Sequence, residues 1–180
     1  LMIARKVANK NGWKKVSEEL TRNIGEELGT QSGGVTHYKM LVKGLADGID
    51  PQLEKKLFSL KPSPATKKFI ADMEAAVSTD DVSFALGATY ALEASAVPEL
   101  IIVKNAVNKL FIDVTGKPMQ EGTLKNFFIM HLDSWEPGHE EGLRETTDLY
   151  LQNPDNFSKG FHAVMKAMDE WWISLADECA

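Results

Sequence analysis

Cysteine is almost absent. The one thiol in 180 residues, Cys179, stands next to the last residue, so no intramolecular disulfide, cysteine-rich zinc site or iron–sulfur cluster can be built from this chain. That usage fits a reducing compartment and predicts a cytoplasmic protein. No uninterrupted apolar run approaches the roughly 20 residues that span a bilayer. The opening Leu1-Met2-Ile3-Ala4-Arg5-Lys6 lacks the basic-then-apolar order of a signal peptide, so no membrane partner is expected. A basic stripe is missing too: Lys+Arg 20 against Asp+Glu 26 leaves a formal charge of -6, with basic residues scattered as pairs such as Lys14-Lys15 and Lys67-Lys68. A nucleic-acid backbone is therefore not an expected partner. No alternating strand pattern, internal repeat or low-complexity segment occurs.

What is present suits one globular domain over residues 1–180: 43% of positions are hydrophobic and 26% charged, which excludes disordered and collagen-like chains. An amphipathic repeat is already running at residue 2, as though an N-terminal segment preceded it. The periodicity is helical nearly throughout. Residues 2 to 11 and 13 to 28 carry apolar positions at steps of three and four (Val16, Leu20, Ile24, Leu28), with Gly12 between the two runs. Gly29-Thr30-Gln31-Ser32-Gly33-Gly34 stops the second helix, a short one follows over 35 to 46, and a brief segment covers 52 to 58. Lys61-Pro62-Ser63-Pro64 is a stop and a restart, with Ser63 as N-cap and Pro64 as first helical residue. Ser78-Thr79-Asp80-Asp81 caps a long helix over 80 to 113, in which Pro98 removes a donor and predicts a kink just before it. A further helix over 123 to 152 is interrupted at Pro137-Gly138, and the last begins at Asn153-Pro154-Asp155 and passes Trp172. The expected fold class is all-α, a helical bundle.

Some residues are not explained by core packing. Between Val82 and Pro98 the only charged side chain is Glu93, set among Ala, Leu, Gly and Tyr. A carboxylate buried there has to be neutral, paired with a cation or bound to a metal. The segment from His131 to Glu140 gathers metal-competent side chains: Glu136 and His139 have the Glu-x-x-His spacing that carboxylate-bridged di-metal bundles use. His131 lies five residues before Glu136, about 140° away around an ideal helix and too far for one ion. One extra residue accommodated as a π-bulge, with Pro137-Gly138 as its cause, would bring His131, Glu136 and His139 to one face. Asp133 would point to the opposite side. The plain alternative is two surface histidines in an acidic helix. Only one Glu-x-x-His pair exists, not the two of ferritin-like bundles, and there is no His-Glu-x-x-His zinc motif. His37 follows the glycine-rich break, Glu26-Glu27 precedes it, and His162 lies beside the apolar stripe Phe157, Phe161, Met165, Met168, Trp172 as a packing residue.

Together these stretches resemble the heme-oxygenase-like di-iron oxidases and oxygenases, the superfamily that includes CADD-like proteins (Chlamydia protein associating with death domains) and the alkene-forming fatty-acid decarboxylases. Arg22-Asn23-Ile24-Gly25-Glu26-Glu27-Leu28-Gly29 followed by His37 is similar to the first ligand helix of that family, in which the second acid of an Asn-x-x-acid-Glu pattern and a later His bind iron. Tyr90-Ala91-Leu92-Glu93-Ala94-Ser95 is similar to its Tyr-Ala-x-Glu segment, which supplies a carboxylate. The segment from His131 to His139 is similar to its His-x-x-x-Asp-x-x-His segment, with one residue more and Glu in place of Asp. Order and approximate separation agree over residues 20 to 145.

The resemblance implies a heme-oxygenase-like bundle of about six to seven helices. It also implies a metal set of Glu27, His37, Glu93, His131, Glu136 and His139, with Glu26 as the alternative to Glu27. Three carboxylates would nearly offset the charge of two ferrous ions. The implied function is that of a non-heme di-iron oxidase or oxygenase, with two iron ions per chain, O2 as co-substrate, an electron donor, and a small organic substrate that is fatty-acid-like, amino-acid-like or a side chain of the protein itself. Lys104, eleven residues after Glu93 and nearly on its face, is a candidate substrate-carboxylate anchor or self-modified lysine, against a side chain that snorkels to water. Tyr90, three residues before Glu93, is a candidate hydrogen-bond donor or plain core. Heme oxygenases hold heme through one His, which suits this multi-carboxylate set less well, and the Cys nucleophile of thiaminase-like relatives has no counterpart, Cys179 being at the wrong end. Two other functions stay open: a non-enzymatic helical binding module with Glu93 paired to a base, and a cofactor-independent oxidase like the quinone-cofactor-forming relatives. Trp171-Trp172, read as an exposed aromatic pair, is compatible with a homodimer.

Overall fold

Short-range stops set where each helix begins and ends. In chain order the helices are α1 (Met2–Lys10), α2 (Lys14–Glu27), α3 (His37–Gly48), α4 (Gln52–Ser59), α5 (Pro64–Val77), α6 (Val82–Ala94), α7 (Ala96–Thr115) and α8 (Thr123–Met130). A π turn (His131–Trp135) leads into α9 (Glu136–Thr147), a 3-10 turn (Asp148–Tyr150) follows, and α10 (Pro154–Cys179) closes the order. The computed structural model describes residues 1–179; the side chain of Cys179 and all of Ala180 lie outside the described part. Among the described residues there is no strand, so the fold is all-α.

The caps are local and chemical. Thr36 Oγ1 accepts from the Lys39 amide at 3.2 Å and starts α3. Ser63 Oγ accepts from the Thr66 amide at 3.2 Å ahead of Pro64, and Asp81 accepts from the Phe84 amide at 2.9 Å to start α6. The long helix expected over 80 to 113 is divided at Ser95, three residues before Pro98. Pro98 has no amide proton for the Ala94 carbonyl and its ring crowds that oxygen, so the break appears upstream of the proline.

The chain divides into two compact units, each assembled from separate stretches: residues 1–21, 61–95 and 140–180 form the first, and residues 22–60 and 96–139 the second. The first has a core of Ala4, Ala8, Trp13, Val16, Leu20, Val77, Leu86, Leu143 and Val164. The second is centred on Phe111, Leu124, Phe127 and Phe128, with Met40, Leu41 and Leu45 of α3 and Val103 and Val107 of α7 packed on it. By length and composition the stretch Val82–Thr115 could cross a membrane. Eight of the thirteen residues of α6 are buried, the position of a core helix. Trp171 and Trp172 are half-buried rather than exposed: Trp171 stacks on Phe69 with ring centroids 4.6 Å apart and its indole N–H donates to Thr66 Oγ1. His162 is exposed, with Nδ1 donating to the Ser158 carbonyl at 2.7 Å.

In the first unit α6 and α10 meet backbone to backbone. A Cβ on Gly87 would lie 1.9 Å from the Phe157 carbonyl oxygen, and one on Gly160 would lie 2.0 Å from the Phe84 carbonyl oxygen. Neither oxygen can rotate away, so the reciprocal glycines set how closely the helices approach. Gly87→Ala is expected to cost about 3 kcal/mol, the upper end of overpacking losses. Gly138→Ala, where nothing lies within 4 Å of the added carbon, is expected to be neutral or slightly stabilising. Urea unfolding of the two variants checks the contrast.

Candidate metal centre

Two backbone irregularities build the site, both in the second unit. The first is the loop between α2 and α3. Gly29 adopts φ +97°, and a Cβ there would meet the Val35 carbonyl oxygen at 2.6 Å, so only glycine fits. The Gly34 amide donates to the Gly29 carbonyl at 2.9 Å and closes the loop on itself. That closure brings together Glu27, the last residue of α2, and His37, the first of α3: His37 Nδ1 lies 2.9 Å from Glu27 Oε1.

The second irregularity is the π turn. The Glu136 amide donates to the His131 carbonyl, an i→i+5 bond that fits five residues into one turn. The five-residue interval from His131 to Glu136 thereby becomes one helical turn on one face. Glu136-x-x-His139 continues that face in regular α-helix. The helix is not interrupted at Pro137-Gly138 as the sequence suggests; both lie in α9 and the widening falls just before them. Asp133 is exposed.

The outcome is two groups of ligand atoms that share one carboxylate. Glu27, His37 and His131 form the first and Glu27, Glu136 and His139 the second, with the atoms of each group within 4.8 Å of one another. In the first, His131 Nδ1 donates to the Phe127 carbonyl at 2.7 Å, so the neutral ring carries its lone pair on Nε2, 2.9 Å from His37 Nδ1. A single proton on His37 Nδ1 can serve either Glu27 or His131, whereas a cation satisfies all three donor atoms at once. The donor set therefore fits a metal. Trp135 stacks on the His37 ring at 4.4 Å and 3°, and Phe127 lies 3.9 Å from the His131 ring, so aromatic faces wall this side.

In the second group, His139 Nδ1 lies 3.4 Å from Glu136 Oε2, and His139 Nε2 lies 2.8 Å from Glu26 Oε2. Glu26 is 3% exposed and belongs to neither group; its Oε1 accepts from Gln31 Nε2 at 2.7 Å and lies 3.8 Å from Arg22 Nη1. Arg22 Nη2 donates to the Gly138 carbonyl at 3.1 Å. Burial holds the His131 imidazole below its ordinary value, with the bond to Phe127 only partly opposing it. For Glu27 burial acts to raise the pKa, but the hydrogen bond from His37 and the neighbouring imidazoles outweigh it and hold the carboxyl below its usual range. A neutral His131 and an ionised Glu27 are the forms a metal requires.

Residues 1–178 match the family described as "Domain of Unknown Function with solved-structure structure (DUF3865)". The chain belongs to the DUF3865 family. Among solved structures this DUF3865 chain is similar to a CADD-like protein of unknown function from Nostoc punctiforme PCC 73102. Its 2.00 Å crystal structure has a TM-score of 0.83 and 37% identity, over 98% of this chain and 73% of that one. The 1.35 Å structure has a TM-score of 0.78 and 34% identity, over 98% and 70%. No curated protein matches the chain.

Glu27, His37, His131, Glu136 and His139 thus stand in the two groups. Glu93 lies in the first unit, 4% exposed in the last turn of α6, and is in neither group. Also in the first unit, Tyr90 Oη donates to Glu140, and burial followed by that bond pushes its pKa up to about 12. Lys104 is half-buried on α7 and takes part in no ion pair among the described residues. Nothing in the sequence singles out Gln31 or Trp135. Gln31 looks like loop filler and Trp135 like core, and only the folded loop and π turn bring them to Glu26 and His37.

The His131 shift has a measurable consequence. The folded, metal-free chain holds His131 neutral while the unfolded chain protonates it near 6.5. Its contribution to stability is therefore present above pH ~6.5 and lost as pH falls through the lower folded value. Imidazole NMR of the metal-free protein is expected to show His131 titrating below the ordinary histidine value of about 6.5; a midpoint at or above that value contradicts it.

Proposed function

We propose that this chain is a non-heme di-iron protein that uses O2 to oxidise a small organic substrate, fatty-acid-like or amino-acid-like. The observation that carries the proposal is that Glu27 belongs to both ligand groups, since a carboxylate common to two His-containing sets is how helical proteins hold paired first-row metals. Carboxylate and imidazole donors without thiolate suit iron. Similarity to a CADD-like protein and the sequence resemblance to di-iron oxidases support the same choice.

A bound iron pair would supply the electrons and the open coordination positions for O2 reduction. The chain's own residues do the rest. His37 and His131 would hold one ion and Glu136 and His139 the other, with Glu27 between them. Trp135 and Phe127 cover the rings of the first pair and keep water from their nitrogens. The carboxylates, Glu136 buried and Glu27 half-buried, would offset the metal charge. An electron donor is required to return the pair to the ferrous state.

The test is anaerobic ferrous loading with measured stoichiometry, followed by O2 consumption. About two irons per chain are expected for the wild type, about one for His131→Ala and for Glu136→Ala, and none held tightly by Glu27→Ala. Loss of iron in Glu93→Ala would place that carboxylate in the set. No iron uptake by the wild type would leave a binding module or a cofactor-independent oxidase, and iron uptake without O2 consumption would remove the oxidase assignment.

A further inference from the structure

We propose that Glu26, backed by Gln31 of the glycine-rich loop, is a positioning residue that fixes His139 as its Nε2–H tautomer and so turns its Nδ1 toward Glu136 to share a metal with it. The inference rests on the metal reading for its purpose, though not for its geometry. Glu26 and Glu27 are neighbours on α2 and point about 100° apart around the helix, so the two acids face different partners. Glu27 reaches both ligand groups, whereas both oxygens of Glu26 are engaged elsewhere. Oε2 lies 2.8 Å from His139 Nε2, and Oε1 accepts from Gln31 at 2.7 Å.

An imidazole has two nitrogens and, when neutral, one proton. Committing Nε2–H to a buried carboxylate leaves the lone pair on Nδ1, and Nδ1 is the nitrogen 3.4 Å from Glu136. Carboxylates that orient a ligating His in this way also raise its basicity, and their loss costs 10–100-fold in metal affinity. Gln31 matters because its amide holds the far oxygen of Glu26 and prevents the carboxylate from rotating off His139. The loop that delivers Gln31 depends on Gly29, at φ +97° and against the Val35 carbonyl. The glycine-rich break therefore does two things: it joins Glu27 to His37 and it clamps the acid that orients His139.

Two measurements decide the matter. In zinc-loaded wild type, 15N imidazole shifts are expected to show His139 protonated on Nε2 and metal-bound through Nδ1; a metal-bound Nε2 overturns the proposal. In anaerobic cobalt(II) titrations, Glu26→Ala is expected to reach wild-type stoichiometry at saturation with one ion bound about 10–100-fold more weakly and a shifted visible spectrum. Glu26→Gln, whose amide oxygen still accepts from Nε2–H, should recover most of that affinity, and Gln31→Ala should give a milder loss. Unchanged affinity in Glu26→Ala overturns the proposal, and so does loss of an ion at saturation as in Glu27→Ala, which would make Glu26 a ligand. Should Glu26→Ala not fold, Glu26→Gln and Gln31→Ala still carry the titration. Failure of the wild type to bind cobalt, iron or zinc would remove the metal reading and this proposal with it, whereas metal binding by the wild type with unchanged affinity in Glu26→Ala overturns the positioning alone.

Discussion

The second unit is organised around the problem of burying charge. Glu26, His37, His131, Glu136 and His139 are all buried in a unit whose remaining core is phenylalanine, leucine and valine. Removing such groups from water costs several kcal/mol each unless every donor and acceptor finds a partner. Partial answers are visible: His131 turns Nδ1 to the Phe127 carbonyl, and Glu26 is held by His139 and Gln31. What hydrogen bonds cannot resolve is the convergence of His37 Nδ1, His131 Nε2 and Glu27 Oε1 on one point, where there is one proton at most for competing lone pairs. A single His37 Nδ1–H shared between Glu27 and His131 half-satisfies each, whereas a cation would engage all three atoms at once.

Two departures from regular helix create that convergence. The glycine loop brings together residues ten apart in sequence, and the π turn converts a five-residue interval into one turn. Each is supported by chemistry that does not involve metal. Gly29 occupies backbone space that no other residue fits, and Trp135, inside the π turn, stacks flat on His37. The wide turn is thus packed against the very ring whose ligand partner it presents, which links the geometry of the two halves of the site.

Much of the fold could be read from short-range signals. Ser63-Pro64, Asp81 and Thr36 start helices because a side-chain oxygen and the nearest free amides are all that a cap requires. The candidate metal-site positions His37, His131, Glu136 and His139 stand out because acids and imidazoles occur there in otherwise apolar or glycine-rich segments. What could not be read depends on distant chain. Trp171 looked like surface until Phe69 and Thr66 of α5 covered it. The different parts played by Glu26 and Glu27 are set by rotation about α2, which sequence alone does not fix. Gln31 carries no signal before the loop is folded.

Two prolines reshape the helices by one mechanism. A proline fails to donate to a carbonyl four or five residues earlier, so its effect appears upstream of the ring. Pro98 breaks the helix at Ser95, and Pro137 follows directly on the widened turn at His131–Trp135 while itself lying in regular helix. In α9 the missing amide would have served Asp133 in α-register or Leu132 in π-register, so proline lowers the advantage that the α-register would otherwise hold. With that preference weakened, the stacking of Trp135 on His37 and the bond from Glu136 to the His131 carbonyl are enough to hold the wider register. The register in turn decides whether His131 and Glu136 share a face, and therefore whether both can reach Glu27.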